Sequence, residues 1–167
     1  MFFVGETMVK ILIVFYSTSG NTEKMAHAVA EGAKQVEGAT VEIKKAGETK
    51  LEDLLNADGI IMGSPTYYGL MAAQLKTLLD ESVKVHGKLQ GKVGAAFASA
   101  GGYATGAETT LLSILQAMLV HGMIIQGRSD NKHYGATARG APKDEEMEDC
   151  RHLGRKVATL ATKLLEK

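Results

Sequence analysis

The chain has 167 residues, of which 45% are hydrophobic, enough for one full core, and its 19 basic and 19 acidic side chains give no formal net charge. This balance argues against the clearly basic surface that nucleic-acid-binding proteins normally carry, and no apolar run reaches the ~18 residues that a membrane span needs. The single cysteine, Cys150, excludes an internal disulfide. It is typical of a reducing compartment, so we expect a cytoplasmic protein.

Strand-like and helix-like segments alternate along the chain. Apolar strands are expected at 9–16, 40–45, 59–63, 93–99 and 123–126, and helices at 21–37, 51–56, 72–83, 105–120 and 144–165. The segment of about 16 residues between the last strand and the last helix, rich in glycine and charge, is predicted to be a loop. Five β-α units predict an α/β fold, with a parallel sheet covered by helices on both faces. We expect one domain over 8–167, preceded by a loosely held extension at 1–7.

The junction between the first strand and the first helix is the most informative segment. The apolar run stops at Tyr16, and a hydroxyl-rich loop follows, formed by Ser17, Thr18, Ser19, Gly20, Asn21 and Thr22. Backbone N–H groups in the first turn of a helix lack intrahelical partners, and the helix dipole adds roughly half a positive charge there. The junction therefore predicts a phosphate site that needs no Lys or Arg. The simpler interpretation is a cluster of N-capping hydroxyls.

Two further loops are expected beside the first, because ligands of such sheets bind at the carboxyl ends of the strands. They contain three tyrosines among Gly and Pro, and no Asp or Glu: Ser64, Pro65, Thr66, Tyr67, Tyr68 and Gly69 in one, and Ser99, Ala100, Gly101, Gly102 and Tyr103, continuing to residue 106, in the other. Aromatic faces beside small residues and backbone amides suit a planar, hydrogen-bonding ring. A phosphate site next to a ring site predicts a mononucleotide cofactor.

These loops carry a resemblance to a known family. Residues 17–23, Ser-Thr-Ser-Gly-Asn-Thr-Glu, resemble the T-x-T-G-N-T-E phosphate loop of flavodoxin-like FMN proteins. Residues 63–69, Gly-Ser-Pro-Thr-Tyr-Tyr-Gly, are similar to the second loop of WrbA-type NAD(P)H:quinone oxidoreductases, and residues 121–123 and 134–137 resemble further stretches of that family. The resemblance implies a flavodoxin-like three-layer sandwich whose five-stranded parallel sheet has the order 2-1-3-4-5.

The resemblance also implies a role for each loop. Residues 17–22 would hold the FMN phosphate, residues 65–69 would line the edge of the isoalloxazine ring, and residues 99–103 would contact its pyrimidine side and the ribityl chain. Ser64 and His121 complete the expected cofactor-binding set, although His121 could equally be a capping or core histidine. Neither a metal ligand nor a catalytic side chain is expected, because FMN carries the chemistry.

The expected activity is electron transfer from NAD(P)H through FMN to a quinone-like acceptor. The alternatives are a flavodoxin-type electron carrier without its own substrate, serving a redox protein partner, and a flavin-binding regulatory protein without turnover. Arg128, Lys132 and Arg139 could contact a phosphate of the nicotinamide dinucleotide, although a solvated face is the simpler interpretation. The chain lacks the long insertion that WrbA proteins carry after the second strand. Apolar residues on the third and fourth helices suggest a homodimer or homotetramer: Met71, Leu75, Leu78, Leu111, Leu112 and Leu115.

Overall fold

The computed structural model describes residues 8–166 and shows a parallel β-sheet between two layers of helices. The expected extension at 1–7 lies outside the described residues. The strands are β1 (Val9–Phe15), β2 (Ala39–Lys45), β3 (Gly59–Pro65), β4 (Val93–Ala100), β5 (Ile124–Ile125) and β6 (Ala136–Arg139). The α-helices are α1 (Asn21–Lys34), α2 (Leu51–Asn56), α3 (Ala73–Glu81), α4 (Ala107–Val120) and α5 (Asp144–Leu165), with short 3₁₀ turns at Ala46–Glu48 and Ser82–Val85.

The strand order is β2-β1-β3-β4-β5, and every pairing is parallel, which confirms the predicted topology. The prediction of a continuous loop after the fifth strand was wrong at Ala136–Arg139, because these residues form β6 and pair with Phe97–Ala100 of β4. β5 pairs with Val93 and Gly94 at the start of β4. Since β3 occupies the other edge of β4, β5 and β6 share the fifth position of the sheet.

The central strands are apolar because helices cover them on both faces. All eight residues of β4 are buried. One face packs against α1 and α5, and the other packs against α2, α3 and α4. Helices α1 and α5 approach so closely that a Cβ at Gly32 or at Gly154 would lie 1.9 Å from a backbone oxygen of the facing helix. Glycine at these two positions therefore sets the spacing of this layer.

The bounds of the predicted elements agree with the structure to within three residues. This agreement matters at β1, β3 and β4, because their carboxyl ends carry the three loops that the sequence singled out. Within residues 8–166, no helix combines the length and the apolar character that crossing a membrane requires.

Candidate functional site

The three loops meet at the carboxyl edge of the sheet, and a hydrogen bond joins each pair. We call residues 17–22 the first loop, 64–69 the second loop and 99–106 the third loop. The hydroxyls of Thr22 and Ser99 lie 2.9 Å apart and join the first and third loops. Those of Thr18 and Tyr67 lie 2.8 Å apart and join the first and second. Thr66 donates its backbone N–H to the carbonyl oxygen of Ser99 at 2.8 Å, so the loops form one surface.

The first loop leaves the start of α1 open. Gly20 is the N-cap residue, and its φ of 90° is a left-handed conformation that favours glycine. No side chain caps the helix, since the hydroxyl of Ser17 accepts instead from the N–H of Gly20 at 3.1 Å. The N–H of Lys24 donates to the Gly20 carbonyl. Within the described chain, the N–H groups of residues 21–23 therefore have no acceptor, which argues against the N-cap interpretation and favours an anion site.

Ser64 supports the second loop from a buried position. Its side chain is fully buried, and its hydroxyl accepts from the N–H of Ala72 and donates to the carbonyl of Pro65, both at 2.8 Å. The structure therefore gives Ser64 a supporting position beneath the surface. Thr66 Oγ1 is also buried and has no hydrogen-bond partner among residues 8–166.

The tip of the second loop is a tight turn that displays an aromatic ring. Tyr67 and Leu70 exchange two backbone hydrogen bonds of 3.0 Å. The residues between them, Tyr68 and Gly69, have φ values of 50° and 75°, as a type I′ turn requires. Tyr68 is fully exposed. A bulky residue in this left-handed conformation is strained, and such strain tends to occur at functional sites.

The third loop combines exposed backbone with an exposed aromatic ring. A Cβ at Gly101 would meet nothing within 4 Å, so a ligand could approach the backbone there. Tyr103 is 80% exposed. The guanidinium carbon of Arg139 lies 3.4 Å from the centre of the Tyr103 ring. No sequence pattern indicated that these two residues meet, because β6, which carries Arg139, was predicted as loop.

The structure does not bring His121 to the three loops. It follows α4 at the opposite edge of the sheet, and only 8% of its surface is exposed. Its Nε2 lies 2.7 Å from the Ser82 hydroxyl, which itself donates to the carbonyl of Leu79. Nε2 must therefore be the donor in the His121–Ser82 bond. Burial, and next the nearby charge of His86, lower the pKa of His121 below its ordinary value.

The residues of the loop surface fit FMN. The open N–H groups at the start of α1 suit a phosphate, and no side chain fills the space at the Cβ positions of Gly20 and Gly101. Exposed tyrosines lie in the second and third loops, and these loops contain no Asp or Glu that would repel an anionic ligand. The donor set therefore matches a cofactor with a phosphate tail and a flat ring.

The chain is similar to known proteins over most of its length. The model of the NADPH-dependent FMN reductase family matches residues 9–130. A protein of Aquifex aeolicus named flavodoxin is 40% identical over 159 residues, which cover 90% of this chain and 86% of the relative. A protein of Archaeoglobus fulgidus named NAD(P)H dehydrogenase (quinone) is 37% identical over 191 residues, which cover 94% of this chain and all of the relative. Among solved structures, a WrbA-like flavodoxin from Agrobacterium tumefaciens is 29% identical with a TM-score of 0.79, covering 93% of this chain and 98% of that one.

These matches confirm the flavodoxin-like fold, FMN as the cofactor and the FMN-dependent oxidoreductase class that the resemblance implied. The alignment with the Archaeoglobus relative has 191 positions, more than the 167 residues of this chain, so it includes positions that this chain lacks. The roles of the individual loop residues stay predictions. By its match over residues 9–130 and its identity with full-length relatives, the chain belongs to the NADPH-dependent FMN reductase family.

Proposed function

We propose that this chain is an FMN-dependent enzyme that transfers two electrons from NAD(P)H to a quinone. The observation that carries the proposal is a loop surface without carboxylates in its second and third loops, held together by three hydrogen bonds. Reduction makes the flavin more negative, so nearby carboxylates would oppose it and lower its potential. Their absence from these loops favours a flavin that accepts a hydride readily. The name of the Archaeoglobus relative supports the same acceptor.

Each loop would contribute a different part of the work. When bound, FMN supplies hydride acceptance and electron donation. The N–H groups of residues 21–23 would hold its phosphate, and the open backbone at Gly101 would let the cofactor approach closely. Tyr67, tied to the first loop through Thr18, would line the ring and exclude water from one side. The chain's residues therefore bind and orient, and no side chain needs to act as an acid or a base.

The Ser19→Asp variant tests the phosphate site directly. Ser19 is exposed beside the start of α1. An aspartate there would interact favourably with the helix dipole but would repel a phosphate. We expect the variant to fold normally and to bind FMN at least about tenfold more weakly. Thr77→Asp, which adds the same charge at an exposed position of α3, should bind FMN as the wild type does. Equal affinity of the two variants for FMN would contradict the assignment of the phosphate site.

Steady-state turnover tests the reaction. FMN-loaded protein should oxidise NADPH or NADH when benzoquinone is present, and protein stripped of FMN should not. The measurement is the loss of nicotinamide absorbance under anaerobic conditions. Protein that binds FMN but leaves both nucleotides unoxidised would overturn the proposed reaction while leaving the cofactor site intact.

The second candidate is a flavodoxin-type electron carrier, and the name of the Aquifex relative at 40% identity favours it. A carrier passes single electrons, so it must stabilise a one-electron reduced state. Anaerobic titration followed by visible absorbance distinguishes the two functions. Accumulation of that state, together with no nicotinamide oxidation, would favour the carrier over the enzyme.

We also propose self-association through α4. Of the apolar residues that suggested it, Leu75, Leu78, Leu111 and Leu115 are buried in their own domain, which removes most of that argument. The support that stands comes from the outer face of α4 and its surroundings, where apolar side chains are exposed: Leu112, Leu119, Val120, Val83 and Ile124. Sedimentation equilibrium of the wild type and of Leu119→Glu would test a dimer or tetramer. A monomeric wild type would refute it. The cytoplasmic location stays a prediction.

A further inference from the structure

Arg139 is brought to the loop surface by a strand that the sequence did not predict. In the pairing of β6 with β4, Arg139 lies beside Ala100, at the start of the third loop. The N–H of Gly140 donates to the carbonyl of Ala100 at 2.8 Å, which continues this pairing by one residue. The guanidinium lies over the ring of Tyr103, 3.4 Å from its centre. Backbone pairing therefore positions the main chain of Arg139, and a cation–π contact positions its guanidinium group.

The guanidinium of Arg139 makes no ion pair with a carboxylate within the described chain. The other three arginines, Arg128, Arg151 and Arg155, all form ion pairs with carboxylates. Arg139 forms none within residues 8–166. Glu146 is its acidic neighbour, but both carboxylate oxygens of Glu146 accept backbone N–H groups, those of residues 139 and 143. The positive charge of Arg139 is therefore available to a ligand at the third loop.

We propose that Arg139 tunes the flavin, by positioning Tyr103 against the cofactor and by stabilising the added negative charge of reduced FMN. This inference rests on the proposed FMN site. A cation beside the flavin interacts more favourably with the reduced cofactor than with the oxidised one, so it raises the midpoint potential. The planar guanidinium also stacks on one face of Tyr103 and restricts the ring. Because the second and third loops hold no acidic residue, no carboxylate of those loops opposes the effect.

Three variants separate the charge of Arg139 from its shape. Arg139→Met removes the charge and keeps much of the bulk, whereas Arg139→Lys keeps the charge and loses the planar stack. Lys84→Met is the matched control, since it removes one positive charge from the exposed 3₁₀ turn after α3, at the opposite edge of the sheet. Calorimetry gives the affinity for oxidised FMN, and an anaerobic titration against reference dyes gives the midpoint potential.

We expect Arg139→Met to reduce the preference for reduced over oxidised FMN by about tenfold, which is ~30 mV for a two-electron couple. Arg139→Lys should change that preference by less than about twofold. It should nevertheless bind oxidised FMN more weakly, because Tyr103 loses its stacking partner. Lys84→Met should match the wild type in both measurements. The midpoint of urea unfolding, measured for each variant without FMN, shows whether the variant is folded.

Two outcomes would overturn the inference while leaving the proposed function in place. One is an unchanged potential in Arg139→Met that binds FMN. The other is an equal fall in potential in Arg139→Lys and Arg139→Met, since the charge would then not be the cause. If Arg139→Met does not fold, a wild-type potential together with weaker binding of oxidised FMN in Arg139→Lys supports the inference, and a lowered potential or an unchanged affinity overturns it. A wild type that does not bind FMN would overturn both the inference and the proposed function.

Discussion

The hydrogen bond between Thr22 and Ser99 offers a direct measure of how tightly the first and third loops are joined. Thr22 is 1% exposed and Ser99 is 7% exposed, and their hydroxyls lie 2.9 Å apart. Each hydroxyl has the other as its side-chain partner within the described chain. Thr22→Val keeps the shape of the side chain but leaves the Ser99 hydroxyl buried and unpaired, which costs about 1–3 kcal/mol. Ser99→Ala leaves the Thr22 hydroxyl in the same condition.

The double variant should cost little more than either single variant. When both partners become apolar, no buried polar group is left unpaired, so the second substitution removes most of the penalty created by the first. We therefore expect a coupling free energy of about 1–2 kcal/mol between the two positions. Thr77→Val, at an exposed position of α3, is the control and should change the free energy of unfolding by less than about 0.5 kcal/mol.

Urea unfolding of the FMN-free protein, followed by circular dichroism, measures these free energies, with an unchanged m-value showing that the unfolding reaction is the same. Calorimetry with FMN should show weaker binding in each single variant, because the first and third loops would no longer be held together. If the costs of the two single variants simply add in the double variant, the two hydroxyls do not form the bond seen here. The first and third loops would then not be joined through these hydroxyls.

Three further predictions concern other parts of the chain. The folded-state pKa of His121 lies below its unfolded value of about 6.5, so the unfolded state binds more protons. The free energy of unfolding should therefore fall as pH drops from 7 to 5. The contribution of His121 to this fall should level off below its folded-state pKa. His121→Asn should flatten this fall in urea midpoints, and a fall of undiminished size would contradict the assignment. Tyr68→Asn should relieve the left-handed strain and stabilise the protein by about 1 kcal/mol, whereas Tyr134→Asn, where φ is not positive, should give no such gain in the same assay. Burial, and next the charge of Asp149, raise the pKa of the Cys150 thiol to about 12, so Cys150 should react with a thiol reagent only after unfolding, and fast labelling of the folded protein would show that this packing is wrong.

The three loops could be found from the sequence because each is a local signal. An apolar run that ends in hydroxyl-bearing residues and is followed at once by helical periodicity specifies a strand, a loop and an open helix start within residues 9–34. The second and third loops follow strands whose apolar character is equally local. Since carboxyl ends of neighbouring parallel strands lie at one edge, their proximity followed from the predicted topology.

Two predicted site residues, Ser64 and His121, take positions that depend on hydrogen bonds to residues outside their own loop or helix. Ser64 belongs to a loop whose composition suggests binding, but it is fully buried and its hydroxyl accepts the N–H of Ala72. His121 belongs to a stretch that resembles a flavin-binding family, yet α4 carries it to the far edge of the sheet, where Ser82 binds it. The sequence predicts that Ser64 lies in a loop and that His121 lies at a helix end. It does not predict which neighbour takes their hydrogen bonds.

The sequence by itself determined the parallel α/β architecture, because strand and helix periodicity and the turn residues act over a few neighbouring positions. Its resemblance to a known family, carried by the first two loops, indicated FMN as the cofactor. The phosphate-binding role of the first loop stays a prediction. Only the tertiary structure decided that Ala136–Arg139 is a strand, since four residues of modest β-propensity gain their stability from pairing with Phe97–Ala100 nearly 40 residues away. The same pairing put Arg139 over Tyr103. A contact of that kind depends on which two backbones lie side by side, and no local pattern in either segment records it.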